Sequence, residues 1–317
     1  MLKVISTVSE IKEKNILKLS EVSNSFRLNA SHFTKENLDK TLKSLENIFQ
    51  KHNIDKTVII DLQGAKKRIG KFPSLKALPE SITIKNIKSS NNPQILPLPD
   101  KAFFDYIKKG DFIYLNDAEI KLEVKNRDNQ NIYCKVHKNG SISSNKGINI
   151  KNSDLEYTEI TDIDKEHIQT GNKYDFTEFA LSFVLNGKEY DILKRYTNKK
   201  ITAKIERPES LEFIKEIDEK FDKIWFCRGD MGAQAGIENL GKIQYEFTQK
   251  IKNLKSDVYL AGQVLYSITK FSIPTRTEIV SLYSMEKENY KGFVLSDETV
   301  LNENTDKVVQ FLKQVLK

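Results

Sequence analysis

The sequence predicts an α/β protein: a closed (β/α)8 barrel of the TIM type, with a small all-β domain inserted after its third strand. Three observations predict it. Short β-branched runs alternate with helix-period segments at both ends of the chain. From residue 71 to about 158 the alternation stops, and no long amphipathic helix is visible there. Three strand signals precede that stretch and five follow it, which together make the eight that close a barrel. A doubly wound open sheet is the structural alternative.

The elements follow in order. Residues 2–6 read as a strand, 11–19 as a helix and 24–28 as a second strand. The next helix carries Leu38, Leu42, Leu45, Ile48 and Phe49 on one face, with Thr34 placed to cap its start. Thr57-Val58-Ile59-Ile60 is a third strand that ends at Asp61. The inserted stretch is rich in Asn, Ser, Lys and Pro. Its alternating runs Phe112–Leu115, Ile120–Val124 and Ile132–Val136 are separated by turn signals such as Lys109-Gly110-Asp111 and Asn139-Gly140. Strands then fall near 176–184, 201–205, 223–227, 257–261 and 291–295. Pro208 suits the first turn of a helix. Leu240, Ile243, Phe247, Ile251 and Leu254 have helical spacing, as do Val308, Phe311, Leu312, Val315 and Leu316. The expected boundaries are 1–70 and 159–317 for the barrel and 71–158 for a β-barrel-like lid domain.

Composition narrows the function classes. The chain has 317 residues, 38% hydrophobic and 30% charged, which excludes disorder and a disulfide scaffold. No apolar run is long enough to cross a bilayer, and no signal peptide is visible, so a cytoplasmic protein without a membrane partner is expected. Two isolated cysteines, Cys134 and Cys227, fit a reducing compartment and argue against a zinc cluster. The formal charge is +7, from 51 basic and 44 acidic residues. That balance would favour anionic ligands or merely reflect a lysine-rich surface. The basic residues form no dense tract and lack aromatic interleaving, so nucleic acid is not an expected partner.

In a barrel of this type the chemistry sits at the carboxyl ends of the strands. There the sequence places Arg27-Leu28-Asn29-Ala30-Ser31-His32, Asp61, Lys204-Ile205-Glu206 and Arg228-Gly229-Asp230. Lys204 and Glu206 share a strand face because they are two apart. Glu206 and Asp230, from adjacent strands, would hold one magnesium ion with positions left for substrate oxygens. Lys204 and Arg27 would then stabilise charge on a transferring phosphoryl group. An ion network of Lys204, Glu206 and Asp230 that closes the barrel end is the alternative.

Taken together, the motifs resemble the pyruvate kinase family. The matching segments are Phe26-Arg27-Leu28-Asn29-Ala30-Ser31-His32, Asp61-Leu62-Gln63-Gly64, Arg68-Ile69-Gly70, Ser144-Asn145-Lys146-Gly147-Ile148-Asn149, Ala203-Lys204-Ile205-Glu206, Arg228-Gly229-Asp230-Met231-Gly232, Pro274-Thr275-Arg276-Thr277-Glu278 and Leu295-Ser296-Asp297-Glu298-Thr299. They occur in the family's order. The resemblance implies phosphoryl transfer from phosphoenolpyruvate to ADP, with a lid that closes over the site. It implies that Glu206 and Asp230 bind magnesium or manganese, that Lys204 sits at the transferred phosphoryl, and that Arg27 holds the phosphate. It places the substrate carboxylate on the backbone of Gly229 and Asp230, and His32, Arg68 and Lys146 on the nucleotide side. Asn29, Ser31 and Asp61 match the potassium ligands.

Departures from the family pattern carry their own expectations. Lys66 stands where potassium-dependent members have glutamate, and Leu62 follows the aspartate; both features resemble potassium-independent members. A fixed ammonium at Lys66 would replace the monovalent cation, so potassium is expected to be dispensable. Gly262 replaces a threonine that contacts substrate, which leaves no hydroxyl there. Leu185 stands in place of an arginine and Asp297 in place of a glycine. The sequence stops at the eighth helix, so the family's C-terminal domain and sugar-phosphate activation through it are not expected. Self-association through the barrel stays open. Two further readings stand beside the kinase: related metal–enolate chemistry with another phosphoryl acceptor or decarboxylation, and a non-catalytic phosphoenolpyruvate-binding protein.

Overall fold

A computed structural model describes residues 1–116, 118–150, 160–271, 273–300 and 304–316, without the side chains of Asp297 and Glu298. The strands in chain order are β1 (Lys3–Thr7), β2 (Ser25–Asn29), β3 (Thr57–Leu62), β4 (Ser81–Lys85), β5 (Ile95–Pro97), β6 (Phe112–Leu115) and β7 (Ile120–Arg127). They continue with β8 (Asn131–Lys138), β9 (Ile148–Ile150), β10 (Thr177–Leu181), β11 (Ile201–Ile205), β12 (Lys223–Cys227), β13 (Asp257–Ala261) and β14 (Gly292–Leu295). The order β1-β14-β13-β12-β11-β10-β3-β2 closes on itself as a barrel of eight strands. Every ladder in it is parallel. Pairing of β1 with both β14 and β2 removes the open edges, which excludes the doubly wound sheet.

The chain divides into two compact units. One comprises Met1–Gly64, Glu156–Arg228 and Ile243–Lys317; the other comprises Ala65–Leu155 and Gly229–Lys242. These divisions differ from the boundaries read at 70 and 159, and they count Gly229–Lys242 with the second unit. The expected end of the insertion at 158 lies outside the described residues.

Alternation builds the barrel interior. Ile5, Ile59, Ala180, Trp225, Tyr259 and Val294 point inward and pack together. Phe26, Leu28, Ile60 and Phe226 alternate with the inward positions and are fully buried. The helix Lys35–His52 starts at Thr34, whose side chain accepts from the Asn37 amide, and ends at Asn53 in a left-handed conformation. Its buried residues are Leu38, Leu42, Leu45, Ile48 and Phe49, the face read from the sequence. In the helix Ile237–Ile251, Phe247 and Ile251 are buried as expected. In the helix Asn304–Val315, Val308 and Leu312 are buried, whereas Val315 is exposed.

Several local expectations change. β10 stops at Leu181 rather than running to 184, because the Phe183 amide leaves the ladder to bond the Glu206 carboxylate at 2.8 Å. Pro208 opens a 3-10 turn over Pro208–Leu211, and the α-helix begins later, at Ile214. The second unit is a six-stranded sheet in the order β5-β4-β8-β7-β6-β9. It is not wholly β: Asp100 caps a six-residue helix, Lys101–Tyr106, which buries Phe103 and Phe104. A run of five or six residues is too short to show helical period in a sequence.

Candidate active site

Closure of the barrel assembles a polar cluster from the ends of five strands, β1, β2, β3, β10 and β11. In the β2–β3 register Asn29 lies opposite Asp61, and in the β10–β3 register Ala180 lies opposite Asp61. Ile59 and Ala180 face the interior, so Asp61 and Ser182, two residues on, face it as well. Asp61 is the centre of the cluster. Its Oδ2 accepts from Arg27 Nε at 2.7 Å and lies 2.6 Å from an Arg27 Nη. Its Oδ1 lies 3.0 Å from Lys204 Nζ. The same ammonium is 3.1 Å from Glu206 Oε1 and donates to Ser182 Oγ at 2.8 Å. Ser182 Oγ donates in turn to the Leu62 carbonyl at 2.9 Å. Arg27 Nη1 donates to Thr7 Oγ1 at 2.9 Å.

The electrostatics follow from burial and pairing. Burial opposes charge on Asp61, but Lys204 and Arg27 outweigh it and hold the carboxyl below its ordinary range. Burial likewise opposes the Lys204 ammonium, while Asp61 and Glu206 outweigh it and hold the lysine above its ordinary value. Asp61 and Lys204 are therefore charged at neutral pH, and Lys204 is a fixed cation rather than a proton donor. A compact, permanently charged ammonium in a desolvated site is suited to stabilising negative charge on a reacting group.

The remaining candidates fall into smaller groups. Asn29 Oδ1 accepts from Ser31 Oγ at 2.8 Å and starts the short turn Ala30–His32, which carries His32 at the surface. In the second unit, Lys66 Nζ lies 2.6 Å from Asp230 Oδ2. Of the ion network read from the sequence, the Lys204–Glu206 pair is present and Asp61 joins it, and Asp230 pairs with Lys66. Arg68 Nη1 donates to the Asn145 carbonyl at 2.8 Å, and the Ile69 amide bonds the Lys146 carbonyl, so the two nucleotide-side candidates share one strand pairing. Gly229 and Asp230 occupy the first turn of the helix Arg228–Ala235. Gly262 has φ +96°, directly after β13.

Carboxylate oxygens are hard donors, as magnesium requires. Among the described residues no group of three or more His, Cys, Asp or Glu could hold a metal.

Three contributors escape sequence reading: Thr7, Ser182 and Asp164. Asp164 is fully buried and accepts from the Gln63 and Gly64 amides at 3.0 Å each, which fixes the chain as it leaves β3. Burial raises its pKa against those hydrogen bonds. Asp164 is one of several charges in Asp162-Ile163-Asp164-Lys165-Glu166 and nothing there singles it out, and the only signal for Ser182 is its place two residues beyond an inward-facing alanine.

A closed parallel barrel with buried lysine and carboxylates and a half-buried arginine at its strand ends defines the class: a (β/α)8 protein, a fold whose chemistry sits at that mouth. Comparison with known proteins makes this specific. The family model for the pyruvate kinase barrel domain matches residues 2–301, and the chain belongs to the pyruvate kinase family, a family of phosphotransferases. A pyruvate kinase of Thermotoga maritima is 30% identical over 304 residues, covering 93% of this chain and 65% of that protein. One from Thermococcus litoralis is 30% identical over 330 residues, covering 99% and 69%. The chain thus spans about two thirds of the length of these relatives. The crystal structure of pyruvate kinase from Pyrobaculum aerophilum superposes with a TM-score of 0.83 at 22% identity, covering 99% of this chain and 72% of that one. No helix among the described residues is long and apolar enough to cross a membrane.

Proposed function

We propose that this protein transfers the phosphoryl group of phosphoenolpyruvate to ADP, giving pyruvate and ATP, with magnesium required and potassium dispensable. The observation that carries the reading is the buried Lys204 ammonium, held by Asp61, Glu206 and Ser182 beside Arg27. A fixed cation pair at a barrel mouth is costly to desolvate. It is repaid where negative charge builds up on a transferring phosphoryl.

In this reading Arg27 holds the phosphate of phosphoenolpyruvate and Lys204 neutralises charge on the phosphoryl in flight. The bond from phosphorus to the enol oxygen breaks, a bond to a terminal oxygen of ADP forms, and the enolate left behind takes a proton to become pyruvate. Amides at Gly229 and Asp230 receive the substrate carboxylate at a helix start. His32, Arg68 and Lys146 serve the nucleotide, with residues 71–158 as the lid that excludes water. Glu206 and Asp230 would hold the magnesium, which when bound adds charge neutralisation at the same oxygens. Lys204 stays protonated, so the enolate's proton comes from another donor; with no hydroxyl at Gly262, water is the donor this reading uses.

Two contacts support independence from potassium. Both oxygens of Asp61 already face permanent cations, Lys204 and Arg27. Lys66 supplies a further ammonium, which pairs with Asp230. Purified protein given phosphoenolpyruvate, ADP and magnesium without potassium is expected to make ATP in a cytoplasm-like buffer. Strong activation by potassium at constant ionic strength would overturn the potassium reading. Absence of ATP with every metal, while phosphoenolpyruvate still raises the melting temperature, would replace the kinase with a binding protein. Magnesium-dependent consumption of phosphoenolpyruvate or decarboxylation of oxaloacetate without ADP use would point to related enolate chemistry.

A further inference from the structure

The last ladder pair between β12 and β13 is Cys227 opposite Ala261. The next residues, Arg228 and Gly262, stand where the ladder would continue. Instead the chain turns away: Gly262 has φ +96°, followed by Gln263 at +54° and Leu265 at +55°. Glycine enters such a conformation without the Cβ penalty that any other residue meets. The side chain of Arg228 takes over at this point. Its Nε donates to the Gly262 carbonyl at 2.8 Å, and an Nη donates to the same oxygen. The guanidinium is half-buried, and desolvation pushes its pKa below the ordinary arginine value. Among the described residues, the only hydrogen bonds of this side chain go to that carbonyl. A desolvated arginine spent on a loop carbonyl, with no carboxylate bonded to it, marks a loop whose geometry matters.

We propose that Arg228 is a positioning residue: its two-donor clamp on the Gly262 carbonyl fixes the loop leaving β13, and the clamped conformation requires glycine at 262. Gly262 is then not simply a position that has lost a hydroxyl. Its backbone is an anchor, and Arg228 leads directly into Gly229 and Asp230, the segment assigned to the substrate carboxylate. The kinetic consequence rests on the phosphotransfer reading; the clamp itself does not.

The test is a double-mutant cycle with Arg228→Met, Gly262→Ala and the two combined, read by thermal unfolding and by steady-state kinetics. Arg228→Lys, which keeps one donor, runs beside it as the conservative variant. Each single change is expected to lower the melting temperature by about 2–4 °C. The double variant should fall no further than the worse single one, because both remove the same contact. Arg228→Met should raise KM for phosphoenolpyruvate about tenfold with KM for ADP unchanged, and Arg228→Lys should recover part of that loss. Gly262→Thr, which brings a hydroxyl, should lower turnover. Additive losses in the double variant, or a Gly262→Thr protein with unchanged melting temperature and faster turnover, would overturn the clamp. A wild-type protein without turnover would defeat the phosphotransfer reading, while the thermal cycle would still decide the clamp.

Discussion

In the second unit Ile84, Leu96, Phe104, Ile113, Leu122 and Ile132 meet in a fully buried apolar cluster. Among its described residues from 65 to 150, the buried polar side chain is Asn149, and no charged side chain is fully buried. The barrel interior begins in the same way, with Ile5, Ile59, Trp225 and Tyr259, and then ends in Asp61, Lys204 and Glu206, all buried. Both units fold by burying apolar surface. The barrel gathers several buried ions, whereas the second unit buries Asp230 against Lys66; as a rule such ions do not stabilise a fold better than apolar groups of the same size. The difference teaches where the cost of desolvation is concentrated: the strand ends of the barrel gather buried charge, while the core of the sheet stays apolar.

That contrast can be broken or sharpened by substitution. The largest effect is expected from Lys204→Met. It removes the cation between two buried carboxylates, so phosphoryl transfer should fall by at least about 10³-fold. Unfolding stability should also fall, by about 3–5 kcal/mol, because Asp61 and Glu206 are left buried without it. A coupled ATP assay and urea denaturation measure the two losses; a variant of normal activity would end the assignment. Leu122→Ala in the sheet should cost about 2–5 kcal/mol through the cavity it leaves. Because it carries no charge change, the pH dependence of turnover should not move, which a rate–pH profile checks.

Gly64→Ala is expected to come next. Gly64 has φ +58°, and a Cβ there would stand 2.3 Å from the Ser182 carbonyl oxygen. The loss should exceed about 1 kcal/mol, and turnover should drop as well, because Ser182 is a partner of Lys204. Unchanged stability would show that the segment gives way. The smallest effect belongs to His167. It is buried, its Nε2–H donates to the Phe33 carbonyl at 3.2 Å, and its Nδ1 has no partner among the described residues. Burial lowers its pKa, so the folded state favours the neutral ring. Its contribution is therefore present above the unfolded value of about 6.5 and is lost as pH falls from there towards the lower folded value. Wild-type protein should lose about 1 kcal/mol or less over that window relative to His167→Gln, measured by urea denaturation at several pH values.

Much of this was legible in one dimension. All eight barrel strands lie within a few residues of their predicted places, because buried parallel strands are short β-branched runs with a polar residue where they end. Arg27, Asp61, Lys204 and Glu206 could be named as one cluster from their positions at strand ends. Thr7 and Ser182 could not, since nothing in their own segments marks them. They matter because closure sets β1 beside β2 and β10 beside β3. The partners of Asp61 and Asp230 were likewise hidden. Sequence spacing relates Lys204 to Glu206, two residues away, but not Lys66 to Asp230, 164 residues away.

The sequence by itself determined the periodicities, and through them the eight strands, the inserted sheet and the set of charged groups at the strand ends. Those are local consequences of side-chain alternation and backbone preference. Tertiary structure decided which charge meets which, and with it the direction of each pKa shift. It also decided where the backbone turns left-handed, at Phe183 and at Gly262. The physical reason is that ion pairing and desolvation depend on distance and burial through space. Neither exists until the barrel has closed and brought strands from distant parts of the chain together.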